Sequence, residues 1–298
     1  MLIKKNIFLL LLCVLTFTGC NEKKVQHSQS YIDSYGRKIN IPKTAEALRI
    51  ISVAPSMTEL FFELDAKDFL IARSDYCDYP SQAKDLPSVG SLIEPNLEYI
   101  IALKPSLVVA SDHFTKDSVN KLEQLNIPVY IGKQGNELKD FYRIIEDMGQ
   151  ITKKEENAHK LIEDMQNQVE QITLRVQQQK NHPKVYYMIS FGESGDYAPG
   201  KNTFIANLIR IAGAINISDD ANGWGYSREK IFAKDPDIIL VNRSEIAEQL
   251  KSDAIYSKLR AVQNNNVHVL KSGTTERPSL RNLEALLEME NIFFGDNE

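Results

Sequence analysis

Residues Thr152–Lys180 read TKKEENAHKLIEDMQNQVEQITLRVQQQK, a run without Gly or Pro that lies between Gly149 and Pro183. Ala158, Leu161, Ile162, Met165, Val169, Ile172 and Val176 recur within it at spacings of three and four. Such spacing puts one apolar stripe on an otherwise charged, Gln-rich helix. Thr152 and Glu155 are spaced as a capping box, so the helix is expected to start there. At about 1.5 Å per residue it is on the order of 40 Å long, enough to cross a domain. A single stripe buries a single side, so the helix should lie along a surface. Too few heptads are sustained for a coiled coil.

The flanks resemble one another. Asn96–Ser111 (NLEYIIALKPSLVVAS) and Ser227–Asn242 (SREKIFAKDPDIILVN) align without a gap at an offset of 131. Glu98 matches Glu229, Ile100 matches Ile231, Ala102 matches Ala233 and Pro105 matches Pro236. Each copy reads as a short helix stopped at Pro and then a buried strand, which indicates an internal duplication. Strands are also expected at 48–53, 68–73, 127–131, 184–190 and 267–270, alternating with helices over short links. The fold class is therefore α/β: two Rossmann-like lobes with mainly parallel sheets, joined by one long rigid helix. The expected divisions are a signal peptide at 1–19, a polar tether at 20–45, an N-terminal lobe at 46–132, a linker with the long helix at 133–181 and a C-terminal lobe at 182–298.

At the N-terminus, Lys4 and Lys5 precede the apolar run Ile7–Phe17, which is too short for a stable membrane span. Thr18-Gly19-Cys20 follows, small residues ahead of a Cys, as in a bacterial lipoprotein signal. Cleavage before Cys20 and lipidation of its sulfur are expected, which places the chain in the cell envelope on the extracytoplasmic face. Only Cys77 then remains as a free thiol, so no internal disulfide is expected and two apolar cores must supply the stability. The formal net charge is −5 and becomes more negative once Lys4 and Lys5 are removed. An acidic surface argues against a nucleic-acid partner.

In open α/β sheets ligands bind beyond the carboxyl ends of the strands. The loops expected there carry Tyr76, Asp78 and Tyr79 in one lobe, followed by Asp112, His113 and Phe114. Phe191, Tyr197, Trp224, Tyr226, Glu276 and Arg277 stand in the other. Trp224, held between Gly223 and Gly225, is better placed for a ligand than for a core. This mixture suits a large, flat, partly polar small molecule. Catalytic signatures are weak. Gly192-Glu193-Ser194-Gly195 falls one residue short of a nucleophile elbow, and no phosphate-binding or dinucleotide fingerprint occurs. The five histidines are scattered without metal-ligand spacing. No catalytic residue, resident metal or cofactor is expected. An exported serine hydrolase using Ser194 or Ser56 is the alternative, although Ser56 is better explained as the cap of a helix, paired with Glu59 in a second capping box.

ISVAPS at Ile51–Ser56, DYCDYP at Asp75–Pro80, Val89-Gly90, the NLE…LKP…LVV stretch and ERPS…R at Glu276–Arg281 resemble the metal-chelate substrate-binding proteins of ABC importers, most closely the vitamin B12-binding branch. The likeness runs from about Leu48 to the end of the chain. It implies two lobes on a rigid backbone helix with little hinge motion. It implies ligand contacts from Tyr79, Trp224 and Arg277, with Phe191 as a looser match, and docking of Glu98 and Glu229 onto a permease; Tyr76 joins the ligand contacts from its place in the same loop as Tyr79. The implied partners are a metal chelate, the permease with its ATPase, and a membrane reached through the lipid; the protein is expected to act as a monomer. Leu92 stands where the B12-binding pattern has Trp. A ferric siderophore or haem therefore stays open beside a corrinoid.

Overall fold

The structure is a computed structural model and describes residues 28–42, 48–133, 135–192 and 195–295. The signal peptide, Cys20 and Ser194 lie outside the described residues. The first described elements correct one expectation. Within the segment read as a polar tether, residues 28–42 form an antiparallel hairpin of β1 (Ser28–Ile32) and β2 (Lys38–Pro42). Alternation explains it: Tyr31, Ile39 and Ile41 are buried while Ile32, Lys38 and Asn40 face out. At the turn, buried Asp33 accepts the N–H groups of Tyr35 and Arg37 at 3.0 and 2.9 Å. Arg37 ties the turn to the first lobe through Glu123 and the Val129 carbonyl, both at 2.9 Å.

The first lobe contains β3 (Ile50–Ser52), α1 (Pro55–Glu63), β4 (Leu70–Arg73), α2 (Leu97–Ala102), β5 (Leu107–Ser111), α3 (Lys116–Gln124) and β6 (Val129–Gly132). Two helices follow, α4 (Leu138–Thr152) and α5 (Glu155–Gln177). The second lobe contains β7 (Lys184–Met188), β8 (Asp196–Tyr197), α6 (Phe204–Ile211), β9 (Ile215–Asn216), β10 (Gly225–Tyr226), α7 (Arg228–Lys234), β11 (Ile238–Val241), α8 (Ser244–Ser252), α9 (Arg260–Gln263), β12 (Val267–Val269) and α10 (Asn282–Phe294).

Both main sheets are parallel and four-stranded, in the orders β4-β3-β5-β6 and β9-β7-β11-β12. Ranked along the chain, both orders are second, first, third, fourth. The duplication extends to single atoms at the offset of 131. Asn96 caps α2 by accepting the Tyr99 N–H at 3.0 Å, and Ser227 caps α7 by accepting the Lys230 N–H at 3.4 Å. Lys104 and Asp235 both turn left-handed just ahead of the prolines, at φ 47° and 40°. Ile100 and Ile231 are each fully buried.

The backbone helix begins later than the sequence suggests. Thr152 is the last residue of α4, and its hydroxyl donates backwards to the Met148 carbonyl at 2.7 Å. Lys153 then turns left-handed at φ 60°, so the Thr152–Glu155 capping box does not form. A Cβ on Gly149 would lie 2.5 Å from the Ala158 Cβ, so glycine lets the two helices pack closely here. α5 itself is 23 residues long, about 35 Å at the usual rise. Ala158, Ile162, Met165, Ile172 and Val176 of its stripe are buried, with Leu161 and Val169 half-buried at the edges. One apolar cluster runs from Ile50 and Leu60 through this stripe to Val185, Leu240 and Leu286. The lobes therefore share a core across α5, and smaller cores lie on the far faces of the two sheets.

Candidate functional site

A cavity of about 630 Å³ opens between the lobes at the carboxyl ends of β3, β4, β5 and β12. That is the edge where parallel sheets bind ligands, and the volume falls in the usual range of roughly 300–1,000 Å³. The first lobe supplies Ser56 at the start of α1, Tyr76 and Asp78 after β4, Leu92 and Ile93 ahead of α2, and His113 after β5. The second lobe supplies Gly273, Glu276, Arg277 and Arg281 from the loop between β12 and α10.

Local packing explains how these side chains are presented. Cys77 is fully buried, with its Sγ 3.3 Å from Ser74 Oγ, and burial raises the thiol pKa. Anchoring this one residue turns its neighbours Tyr76 and Asp78 outward, and the Tyr76 side chain is 57% exposed. Asp75 is held at its backbone by the Gly90 carbonyl at 2.8 Å and at its side chain by Ser88 at 2.5 Å. Across the cleft, buried Asn282 staples the loop. Its amide donates to the carbonyls of Thr274 and Arg277 at 2.7 and 3.0 Å, and its Oδ1 accepts the Ser279 N–H at 2.5 Å.

Glu59 corrects a second local reading. Ala54 occupies the N-cap of α1 and Pro55 follows, a residue whose missing N–H needs no partner there. No Ser56–Glu59 capping box forms. Glu59 points inward, 3% exposed, and accepts from Arg277 Nη2 at 2.7 Å. Among the described residues this is the only ion pair directly joining residues 46–132 to 182–298. Burial raises the Glu59 pKa, and the hydrogen bond and charge of Arg277 oppose the rise. Arg281 reaches over in parallel, its guanidinium carbon 4.5 Å from the centre of the Tyr79 ring.

Of the residues singled out from sequence, the structure brings Tyr76, Asp78, His113, Glu276 and Arg277 into the cavity. Tyr79 sits next to it, on the wall of a smaller hollow of about 230 Å³ between α1, α5 and α10. Phe191 and Trp224 line neither hollow. Trp224 stacks on Tyr197 at 5.3 Å and 11°, and both rings remain partly exposed on the second lobe. Phe191 packs 4.8 Å from Tyr256, which is hydrogen-bonded to Arg228 and buried Asp196. Glu98 and Glu229 occupy the same position, second in α2 and in α7, and both are exposed with no ion pair among the described residues. Sequence reasoning missed Glu59 and Arg281, because their partners lie far away along the chain.

Ser56 lines the cavity and makes no hydrogen bond to a histidine among the described residues. The described residues also contain no cluster of three or more His, Cys, Asp or Glu able to hold a metal ion.

A family model described as "Periplasmic binding protein" matches residues 50–274. The vitamin B12-binding protein of Vibrio campbellii is 30% identical over 82% of this chain and 88% of its own length. Among solved structures, the periplasmic vitamin B12 binding protein of Vibrio cholerae superposes with a TM-score of 0.71 at 27% identity, over 82% of this chain and 95% of that one. The periplasmic haem-binding protein of the same organism gives a TM-score of 0.75 at 23% identity, over 83% and 98%. At that identity the second likeness concerns the fold alone.

Proposed function

This chain belongs to the periplasmic binding protein family, in its metal-chelate branch, and from that premise we propose that it captures a corrinoid between its lobes for an ABC importer. At the coarser level it is a substrate-binding protein of the B12, haem or iron-siderophore type. The observation that carries the proposal is the cavity of about 630 Å³ formed jointly by two duplicated lobes at the carboxyl ends of their strands. In this reading Tyr76 and Arg277 contact the chelate directly. Tyr79 braces the cleft floor, and Phe191 and Trp224 offer aromatic faces on the second lobe. The exposed, unpaired Glu98 and Glu229 dock onto basic pockets of the permease, and lipidated Cys20 tethers the chain to the membrane.

A ferric siderophore or haem is the second reading. Leu92 lines the cavity, so that wall lacks the ring of the B12-binding pattern. Equilibrium titration of the purified chain with cyanocobalamin, ferric siderophores and haem tests both. Saturable binding of cyanocobalamin with a raised Tm is expected, since a ligand specific to the folded state stabilises it by mass action. Binding of none of the three classes would overturn the proposal.

A further inference from the structure

The charged groups around the cavity are unevenly free. Asp75, Asp78 and Glu276 line it and all are exposed, and Glu59 lies behind them. Against these four carboxylates stand two guanidiniums, Arg277 and Arg281, and both are already engaged within the protein. Arg277 is held by Glu59 at 2.7 Å through Nη2, and neither its own Nε nor the second carboxylate oxygen of Glu59 has a protein partner among the described residues. Arg281 covers the Tyr79 ring and donates to the Ser272 carbonyl at 3.0 Å, with Glu284 3.9 Å from its Nε.

We propose that Glu59 is a specificity-determining residue: by pairing with Arg277 it offsets that guanidinium's charge and leaves carboxylates in excess around the cleft, so that the cavity takes neutral or cationic metal chelates and rejects dianionic ones. The inference rests on the metal-chelate reading above and selects within it. A carboxylate is received well by a guanidinium free to offer two parallel N–H donors. A guanidinium paired with a buried carboxylate is electrically near neutral toward an incoming anion. Two carboxylates entering this cavity would meet Asp75, Asp78 and Glu276, three carboxylates against Arg281 once Arg277 is offset by Glu59. The amide-bearing periphery of a corrinoid, or a ferric trihydroxamate, meets no such repulsion and finds acceptors for its N–H groups. Glu59 touches no ligand in this scheme. It acts through Arg277 and is a positioning residue.

The test is a set of titrations of the purified chain with cyanocobalamin, a cationic ferric trihydroxamate and haem with its two propionates, at low and high salt. The wild type should bind one of the first two at least about tenfold more tightly than haem, and its haem affinity should rise with salt as repulsion is screened. Glu59→Gln keeps the shape and an acceptor but removes the charge, and should narrow that preference about tenfold. Because Glu59 is buried, the double variant Asp78→Asn/Glu276→Gln, both at exposed positions, should shift the preference in the same direction. A wild type that prefers haem, with an affinity falling as salt rises, would overturn the inference. So would a folded Glu59→Gln that leaves the preference unchanged or, should that variant not fold, a double variant that leaves it unchanged. Failure of all three chelates to bind would overturn the proposed function itself, and this inference with it.

Discussion

Met165 lies midway along α5, is 1% exposed, and borders the small hollow beside Glu59 and Tyr79 on one side and Leu280 and Leu283 on the other. It therefore touches the interior where the lobes meet. Truncation by Met165→Ala removes buried apolar atoms and leaves a void, a change that ordinarily costs about 2–5 kcal/mol. The lower half of that range applies, because the neighbouring hollow already admits water and the new void joins it. A loss of about 2–3 kcal/mol in a chain of this size corresponds to a fall in Tm of roughly 4–12 °C. Scanning calorimetry of the purified chain measures it. Since one apolar cluster passes from lobe to lobe through α5, wild type and variant should each melt in a single transition, shifted as a whole. A cleft ligand at a hundredfold excess over its Kd should restore about 2.7 kcal/mol, most of the loss. Two transitions, only one of them displaced by the substitution, would refute the shared core. A shift below about 2 °C would refute the burial argument.

Charge reversal at either docking position, Glu98→Arg or Glu229→Arg, should abolish uptake in cells while titrated ligand affinity stays unchanged. The helix-dipole cost is about 0.3–1 kcal/mol each, and uptake surviving in the double variant would sink the docking role. Gly213→Ala should lower the denaturant midpoint by the equivalent of about 2–4 kcal/mol, combining left-handed strain with overpacking. A Cβ there, at φ 90°, would lie 2.1 Å from Val176 Cγ1, so an unchanged midpoint would contradict the packing described. The Asp220 carboxyl is held down to about 2, chiefly by a hydrogen bond from Lys234, with Lys230 adding to it. Its folded pKa lies below the unfolded value, so its contribution is present above about pH 4 and is lost as pH falls through about 2. Asp220→Asn should flatten the stability profile between those pH values in acid titrations, and an unaltered slope would argue against the pairing.

The twin lobes were legible because the duplicated stretch repeats the features that decide local structure: a capping side chain, one core isoleucine and a proline stop. The stripe on α5 was legible for the same reason, since its period is carried by neighbours in sequence. What was missed depends on tertiary partners. Thr152 and Glu155 have capping-box spacing, but Thr152 already belongs to the preceding helix. That helix buries Leu138, Phe141, Ile144, Ile145 and Met148 at helical spacing, and Gly149, which bounds the Gly-free run in sequence, is a close-packing contact inside it. Ser56 and Glu59 show the same false spacing, because the partner of Glu59 stands 218 residues away. Hairpin residues 28–42 contain only a few alternating apolar positions, fewer than a periodicity can reveal against polar neighbours. Tyr76 and Arg277 fall in the cavity because loops after parallel strands gather at that edge of the sheets. The stacking of Trp224 on Tyr197 arises from the β8–β10 pairing, which no local motif announces.

A shared core also constrains how the cleft recognises anything. Lobes connected by a few crossing segments move freely unless their interface is large and apolar. Here the interface is the continuous cluster along α5, fastened beside the cleft by the Glu59–Arg277 pair and by Arg281 over Tyr79. Closing the cleft further would mean repacking that cluster, so the cavity of about 630 Å³ is close to the one a ligand meets. A small solute leaves such a cavity partly filled with water and gains few contacts, whereas a bulky rigid chelate fills it without ordering either lobe. Affinity then comes from preorganisation on both sides of the interface. Selectivity falls to the size of the cavity and its fixed charges, and closure contributes little to it.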